Sequence, residues 1–157
     1  MRAFVLPLIA LALAACGETT APAGGDASQQ MAAAAPASCD APAQPIAIGA
    51  TVNNQIQAAQ SYPENARYFC FQVGEGVRSV TLTLSGMTTD LDLYVGSNSI
   101  QSVQGVDISA GQNYEWKSNA LGTVDERIVI DAPRPGVYYA EIVSFQGEAS
   151  PYQISLQ

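Results

Sequence analysis

The chain has 157 residues and a formal net charge of −8, and its length suffices for one domain with a hydrophobic core. With six Lys and Arg residues against 14 Asp and Glu residues, it lacks the basic surface on which nucleic-acid binding depends. The sequence contains no His, which excludes Ser-His-Asp and Cys-His catalysis as well as His-ligated zinc.

The N-terminus is typical of an export signal. A positively charged start, Met1-Arg2, precedes an almost wholly apolar run from Ala3 to Ala15. This run is shorter than the roughly 20 residues that a membrane-spanning helix needs, and it ends in small residues, as signal peptides do. We therefore predict that residues 1–15 are a signal peptide that is removed on export.

The end of this segment, Leu13-Ala14-Ala15-Cys16, resembles the bacterial lipobox. In lipobox proteins the Cys becomes the lipidated first residue of the mature chain, so Cys16 is the predicted lipid anchor. Gly17 follows it instead of Asp, which by the same resemblance favours the outer membrane. The predicted location is the cell envelope, on its periplasmic or surface-exposed side. The alternative is an ordinary signal peptide followed by an unrelated Cys.

Residues 16–43 are the predicted tether. They consist mainly of Ala, Pro, Gly, Ser and Gln. A segment with so few large apolar side chains cannot bury enough surface to offset the entropy cost of ordering its backbone. We therefore expect a disordered connection between Cys16 and a folded domain over residues 44–157.

The cysteines predict one disulfide. Lipidation of Cys16 leaves Cys39 and Cys70, and an even number of Cys in an oxidising compartment favours a bridge. Alternation supports it, because Phe69 and Phe71 share one face of a strand and Cys70 lies on the other. Cys39 would then fasten the end of the tether to the outside of a sheet. The alternative is two free thiols.

From residue 44 onward the patterns are those of β-structure. Alternation is clearest in Thr89–Val95, where three aliphatic residues share one face and Asp90, Asp92 and Tyr94 share the other. The predicted strands are Ile46–Ile48, Val52–Ile56, Tyr68–Val73, Ser79–Leu84, Leu91–Val95, a weak one near Ile100–Val106, Tyr114–Lys117, Glu126–Ile130, Val137–Val143 and Tyr152–Leu156. Many short strands separated by turn residues predict an all-β fold, an antiparallel β-sandwich of about eight strands.

Four segments in series resemble the bacterial pre-peptidase C-terminal domain. They are Tyr68–Gly76, Asp90–Val95, Trp116–Ser118 with Glu126–Ile130, and Pro135–Ile142 with the terminal Tyr152–Leu156. The resemblance implies a jelly-roll-like sandwich, usually appended to secreted peptidases and often cleaved from them. It also implies two kinds of ligand, since some relatives bind calcium and the collagenase version binds collagen. Here a lipobox and a tether precede the module in place of a peptidase, so a propeptide role is not expected.

Asp90 and Asp92 are the candidate metal ligands. On one face of a strand their carboxylates would lie roughly 6–7 Å apart. With loop carbonyls they would offer oxygen ligands to Ca²⁺, which takes six to eight of them. The alternative, which we favour, is a solvated face or aspartates bonded to loop N–H groups. Calcium-binding relatives take further acidic ligands from the segment before the sandwich, where this chain has only Asp40 nearby. No other cofactor is predicted.

A pair of carboxylates at this distance also suits a glycosidase. The chain has 14 acidic residues, so a pair with suitable spacing is easily found by chance. We give this interpretation little weight.

Tyr94 and Tyr139 are the candidate binding surface. By alternation both point outward from their strands, whereas Trp116, Tyr138 and Tyr152 point to the core. Outward tyrosines with a polar rim are typical of binding surfaces. The alternative is cross-strand aromatic pairing, which stabilises a sheet without binding anything.

Together these features favour a non-catalytic exported lipoprotein. Its sandwich would act as an accessory module that binds a protein, a peptide or a glycan, while its lipid holds it to a membrane. The alternative is a partner or inhibitor of an exported peptidase, which the usual context of the family suggests. A hydrolase has little support, because the sequence has neither His nor a Gly-x-Ser-x-Gly motif.

The lipid anchor can be tested by intact-mass analysis of the exported protein. We expect the loss of residues 1–15 and an added acyl mass on Cys16. The Cys16→Ser variant should move from the membrane to the soluble fraction, because the acyl chains supply the membrane affinity. A wild-type protein that is soluble and begins at another residue would contradict the prediction.

Overall fold

The computed structural model of the protein describes residues 39–106 and 113–157. Within them the chain forms nine strands, one short 3₁₀ helix and no α-helix. The strands are β1 Gln44–Pro45, β2 Thr51–Ile56, β3 Ala66–Val73, β4 Ser79–Ser85, β5 Asp92–Ser97, β6 Trp116–Ser118, β7 Glu126–Asp131, β8 Gly136–Val143 and β9 Ser150–Leu156; the 3₁₀ helix is Ile100–Ser102. No described helix is long and apolar enough to cross a membrane. The predicted signal peptide, Cys16 and the tether up to residue 38 lie outside the described residues.

The strands form two sheets with the topology of a jelly roll. One sheet has five strands in the order β1-β3-β8-β5-β6, and the other has four in the order β2-β9-β4-β7. All neighbouring strands are antiparallel except β1 and β3, which pair in parallel. Without the short β1, the remaining eight strands have the two four-stranded sheets of a jelly roll. The predicted antiparallel β-sandwich is confirmed.

The main core lies between the two sheets and follows from alternation. On β5, Leu93 and Val95 are fully buried, and on β4 the same is true of Leu82 and Leu84. The residues between those of β4 are Ser and Thr, and they face outward. Each buried Leu or Val contributes about 1.5–3 kcal/mol relative to an exposed one, so the two inner faces hold the sandwich together.

A second hydrophobic cluster, here called the outer cluster, covers the opposite face of the five-stranded sheet. Its buried members are Ala66, Tyr68, Cys70, Tyr94, Ile100, Val103, Val106, Tyr139 and Val143. Three of them, Ile100, Val103 and Val106, come from the segment after β5, which crosses this face. Cys39 and Ala43 pack against it from the N-terminal side. The five-stranded sheet is therefore buried on both faces.

A buried carboxylate fastens the crossing segment to this face. Glu141 of β8 is fully buried, and its Oε1 accepts a hydrogen bond from the Tyr68 hydroxyl at 2.7 Å. Its Oε2 accepts one from the Val106 N–H at 3.4 Å. Burial, a hydrogen bond with Tyr62 and the charge of Glu141 raise the pKa of Tyr68 far above its ordinary value. A buried carboxylate is tolerated only when it is hydrogen-bonded, so Glu141 constrains where Val106 lies.

The structure pairs Cys39 with Cys70 in a disulfide, as predicted, with their Cα atoms 6.0 Å apart. Cys70 lies on the outer face of β3 and is fully buried within the outer cluster. Next to Cys39, the Asp40 N–H donates to the Tyr139 hydroxyl at 3.2 Å. The last residues of the predicted tether, from Cys39 to Ala43, thus pack on the sheet.

Two predicted strands are wrong. Ile46–Ile48 is not a strand, because the chain pairs with β3 two residues earlier and then turns at Gly49, whose φ of 89° suits glycine. The alternating apolar residues there reflect the burial of Ile46 in the main core. The segment Ile100–Val106 forms a 3₁₀ helix and turns, since its apolar residues cover the outer cluster without pairing to a strand.

The disulfide should contribute substantially to stability. In the chain-entropy model, closing a loop of this length stabilises the fold by about 3–4 kcal/mol. Cys39→Ala should therefore lower the melting temperature by about 10 °C while the far-ultraviolet circular dichroism spectrum keeps its β signature. Titration of two free thiols on Cys39 and Cys70 in the exported protein would contradict this pairing.

Candidate functional site

Three carboxylates meet at one end of the sandwich. Asp92 begins β5, Asp90 precedes it, and Glu126 begins β7. Asp90 and Glu126 both act on the charge of Asp92, so the three groups lie within electrostatic reach of one another. Asp90 and Asp92 were predicted as candidate site residues from the sequence. Glu126 was not, because it is read there only as the first residue of a strand.

Two of these carboxylates hold the loop between β6 and β7. Asp90 Oδ1 accepts a hydrogen bond from the Gly122 N–H at 2.9 Å. Glu126 is fully buried; its Oε1 accepts from the Ala120 N–H at 2.7 Å and its Oε2 accepts from the Ser118 hydroxyl. These contacts are those of carboxylates that cap loop N–H groups, which supports the structural interpretation of Asp90.

Asp92 differs from the other two carboxylates. Burial first, and then the charges of Asp90 and Glu126, raise its pKa to about 7. The Tyr94 hydroxyl lies 3.4 Å from Asp92 Oδ2 and acts in the opposite direction, as does Lys117. The carboxyl of Asp92 therefore retains a proton to a higher pH than an ordinary aspartate does.

These groups can be compared with what calcium requires. Ca²⁺ takes six to eight oxygens, and at least one oxygen of both Asp90 and Glu126 is already bonded to a loop N–H. In residues 39–106 and 113–157, no group of three or more His, Cys, Asp or Glu side chains is arranged to hold a metal ion. A calcium site at Asp90 and Asp92 stays a prediction.

The expectation that Tyr94 and Tyr139 are exposed is wrong. Both lie on the outward side of their strands, as alternation predicted, but they are only 4% and 2% exposed. The crossing segment covers this face, and the ring of Tyr94 packs against that of Tyr114 with centroids 5.1 Å apart. Alternation assigns a face of the sheet but does not reveal what covers that face. Neither side chain is available as a binding surface.

A concavity, here called the Trp116 cleft, lies elsewhere, with a volume of about 420 Å³. It opens where β5 and β7 end and where β6 and β8 begin. Its lining residues are Ser97, Asn98, Glu115, Trp116, Ile130 to Tyr138. The volume is within the range of small-molecule and side-chain binding pockets.

Stacked aromatic rings form one wall of the cleft. Phe71 in the main core stacks on Tyr138 with centroids 5.4 Å apart, and Tyr138 contacts Trp116 with centroids 6.0 Å apart. The Tyr138 hydroxyl donates to the Arg134 carbonyl at 3.0 Å, and burial raises the pKa of that hydroxyl. Because Trp116 is backed by these rings, it is held rigidly while part of it remains exposed.

Backbone conformation sets this cleft apart from the rest of the fold. Asn98, with a φ of 70°, and Ala132, with a φ of 46°, are the two non-glycine residues of the described chain with positive φ, and both line the cleft. Hydrogen bonds hold them there, from the Asn98 N–H to the Val137 carbonyl and from the Ala132 N–H to the Arg78 carbonyl, both at 2.8 Å. Such conformations cost energy for a residue like Ala and concentrate at functional sites.

Several polar groups line the cleft. Asp131 and Arg134 are exposed at the turn between β7 and β8, opposite the amide of Asn98. Glu115 Oε1 accepts hydrogen bonds from the backbone N–H and the hydroxyl of Ser97. These bonds fix the two residues to each other at the side of the cleft. The cleft combines an aromatic face with hydrogen-bond donors and acceptors.

Sequence reasoning did not find this cleft. Trp116 was assigned to the core face, which is correct for the part of its ring that packs on Tyr138. In the sequence, the Pro-rich segment from residue 132 to residue 136 indicates only a turn between two predicted strands. The available signal was the charged Arg134 between two prolines, since a rigid turn that carries a charge holds that charge in a defined place.

Comparison with known proteins decides the family. The sequence profile of the bacterial pre-peptidase C-terminal domain matches residues 65–144, just over half of the chain. The chain belongs to this family. The match runs from β3 to β8 and includes every residue that lines the Trp116 cleft. A comparison with curated proteins finds no match.

A solved structure of a pre-peptidase C-terminal domain has the same fold. It comes from the collagenase of Bacillus anthracis and superposes with a TM-score of 0.52 at 15% identity, covering 73% of this chain and 94% of that one. At this identity the likeness concerns the fold alone. Pre-peptidase C-terminal domains are non-catalytic modules and typically occur in exported proteins.

The raised pKa of Asp92 predicts a pH-dependent stability. The folded pKa is about 7 against an ordinary value of 3.8, so protonation favours the folded state. The resulting stabilisation is complete below pH 3.8 and is lost as the pH rises through about 7. Asp92→Asn should remove this loss and melt several degrees higher than wild type at pH 8. Melting curves from pH 4 to pH 8 measure it, with the exposed Asp125→Asn as the control; parallel profiles for wild type and Asp92→Asn would contradict it.

Calcium gives a second readout on the same proteins. If Asp90 and Asp92 are structural, addition of Ca²⁺ leaves the melting temperature unchanged. A calcium-dependent rise that EDTA reverses and that Asp92→Asn abolishes would make these residues metal ligands instead, because binding to the native state alone stabilises it.

Proposed function

We propose that this protein is an exported, lipid-anchored binding module without catalytic activity, and that its ligand binds in the Trp116 cleft. The lipid on Cys16 would hold the module at the cell envelope, where the jelly roll presents the cleft at one end of the sandwich. Membership of a non-catalytic family and the occurrence of that family in exported proteins support the first half of this proposal.

One observation carries the second half of the proposal. The described residues with strained left-handed backbone, Asn98 and Ala132, and the partly exposed Trp116 all line one concavity. Convergence of an aromatic side chain with strained polar loops is typical of a binding site.

The residues that line the cleft indicate which chemical groups its ligand would carry. A flat apolar surface would lie against the Trp116 indole, and hydroxyl, amide or charged groups would bond to Asp131, Arg134 and Asn98. A segment of a protein and a short glycan both offer this combination. The ligand is accordingly a protein, a peptide or a glycan.

Partnership with an exported peptidase is the second candidate function. The observation that favours it is membership of a family whose modules belong to peptidases, including the collagenase of the structural match. Under this alternative the cleft would bind a peptidase in trans. The two functions differ in what the intact protein captures from its own cell envelope.

Binding should depend on the exposed cleft residues. Arg134 accepts the hydrogen bond from Tyr138 through its backbone carbonyl, and its guanidinium takes no part in that bond. Arg134→Ala should therefore leave the fold unaffected. With Asp131→Ala in the same chain, we expect affinity to fall at least tenfold, which corresponds to about 1.4 kcal/mol. Peptide and glycan arrays probed with the intact protein identify the ligand, and titration of the best hit measures the loss.

The matched control is Arg127→Ala. Arg127 is exposed on β7, the strand that also carries Asp131, but it does not line the cleft. The proposal fails if Arg127→Ala weakens binding as much as the cleft variant does, or if the cleft variant binds like wild type. Capture of a peptidase by wild type and not by the cleft variant would favour the second function.

A further inference from the structure

One edge of the four-stranded sheet is open. β2 pairs with β9 along all six of its residues, and within the described residues no strand pairs with its other side. Thr51, Asn53 and Gln55 are exposed there. An edge strand with unpaired N–H and C=O groups is a template for another strand.

The phase of the backbone hydrogen bonds identifies which groups are free. The Leu156 N–H donates to the Ala50 carbonyl at 3.0 Å, and in an antiparallel pair the bonded residues recur at every second position. Val52, Asn54 and Ile56 therefore direct their N–H and C=O groups to β9, and the three residues between them direct theirs outward. In agreement, the Gln55 N–H donates to Oδ1 of the Asn54 side chain at 2.8 Å and not to β9.

This edge lacks the usual protection against pairing. Natural edge strands carry charges, prolines or bulges that prevent association. From residue 41 to residue 63 the sequence has no Asp, Glu, Lys or Arg, although the chain as a whole has 20 of them, 6 basic plus 14 acidic. β2 itself contains no Pro.

The opposite edge of the same sheet provides an internal comparison. β7 carries Glu126, Arg127 and Asp131, and the Arg127 N–H is already bonded to the Ser118 hydroxyl at 3.1 Å. One edge of the sheet is thus charged and partly covered, and the other is neutral and open. General solvent exposure does not account for that asymmetry.

We propose that the β2 edge pairs with the β2 edge of a second copy of this chain, antiparallel and centred on Asn53. In this register Asn53 lies opposite its own copy and Thr51 lies opposite Gln55. These are the three residues with outward N–H and C=O groups, so three hydrogen-bonded residue pairs form. The Gln55 N–H then donates to the backbone of the second copy and no longer to Asn54 Oδ1. The two sheets become one continuous eight-stranded sheet.

The neutral edge allows a second copy to be the occupant. Any two copies repel through a net charge of −8, and the neutral stretch lets them meet without opposing like charges. Across the two-fold axis the Asn53 amide would meet the Asn53 amide of the second copy, and the Thr51 hydroxyl would meet the Gln55 amide. Pairing at β2 is independent of the Trp116 cleft, whose residues all lie outside the neutral stretch.

Single cysteines in the full-length protein, within its own cell envelope, test the register. Asn53→Cys should form a disulfide-linked dimer, because opposed Cβ atoms in an antiparallel pair lie about 5.5 Å apart. Gln153→Cys is the matched control, equally exposed on β9 beside Asn53 but about 14 Å from its copy, a span of three strand spacings. Thr51→Cys and Gln55→Cys should each form no disulfide link alone and should link to each other when expressed together. Linkage of both Asn53→Cys and Gln153→Cys, or of neither, overturns the proposal, as does linkage of Asn53→Cys to a different protein.

Charge variants test the same contact without a covalent bond. In sedimentation equilibrium of the intact protein in a density-matched neutral detergent, Asn53→Lys should raise the dimer dissociation constant at least about tenfold. Gln153→Lys should leave it unchanged, because its charges lie beyond the Debye length of about 10 Å at 0.1 M salt. An equimolar mixture of Asn53→Lys and Asn53→Asp should recover the dimer. A wild-type protein that is monomeric throughout, or a mixture that does not recover, contradicts the proposal.

Discussion

The five-stranded sheet is buried on both faces, and this burial determines where the segments around it run. One face packs on the second sheet in the usual way of a sandwich. The other is closed by the segment after β5 and by the N-terminal arm, which the disulfide to Cys70 and the carboxylate of Glu141 hold in place. Glu141 is tolerated inside because Tyr68 and Val106 bond to it, and this requirement in turn fixes where the crossing segment runs.

Closure of that face leaves the ends and edges of the sandwich, and the outer face of the four-stranded sheet, accessible. The Trp116 cleft lies at one end, backed by Tyr138 and Phe71, so the main core itself makes the aromatic platform rigid. The open β2 edge lies in the other sheet. The two proposed contacts differ in kind: a ligand in the cleft would contact side chains, whereas a strand at the edge would bond to backbone groups.

Local alternation predicted what depends on neighbours along the chain. It placed Leu93, Val95 and Cys70 on the correct faces and indicated an antiparallel sandwich. It could not predict the coverage of Tyr94 and Tyr139, because that coverage comes from residues distant in sequence. The cleft escaped prediction for a similar reason, since its walls come from four strands and meet only after the sandwich has closed.

Tyrosine nitration of the folded protein, followed by peptide mass spectrometry, tests the closed face most directly. Tyr94 and Tyr139 should stay unmodified until the protein unfolds, because both are buried in the outer cluster, whereas the partly exposed Tyr62 and Tyr114 should react first. Nitration of Tyr94 and Tyr139 in the folded state at the rate of Tyr114 would show an open outer face. It would also return these two side chains to consideration as the binding surface in place of the cleft.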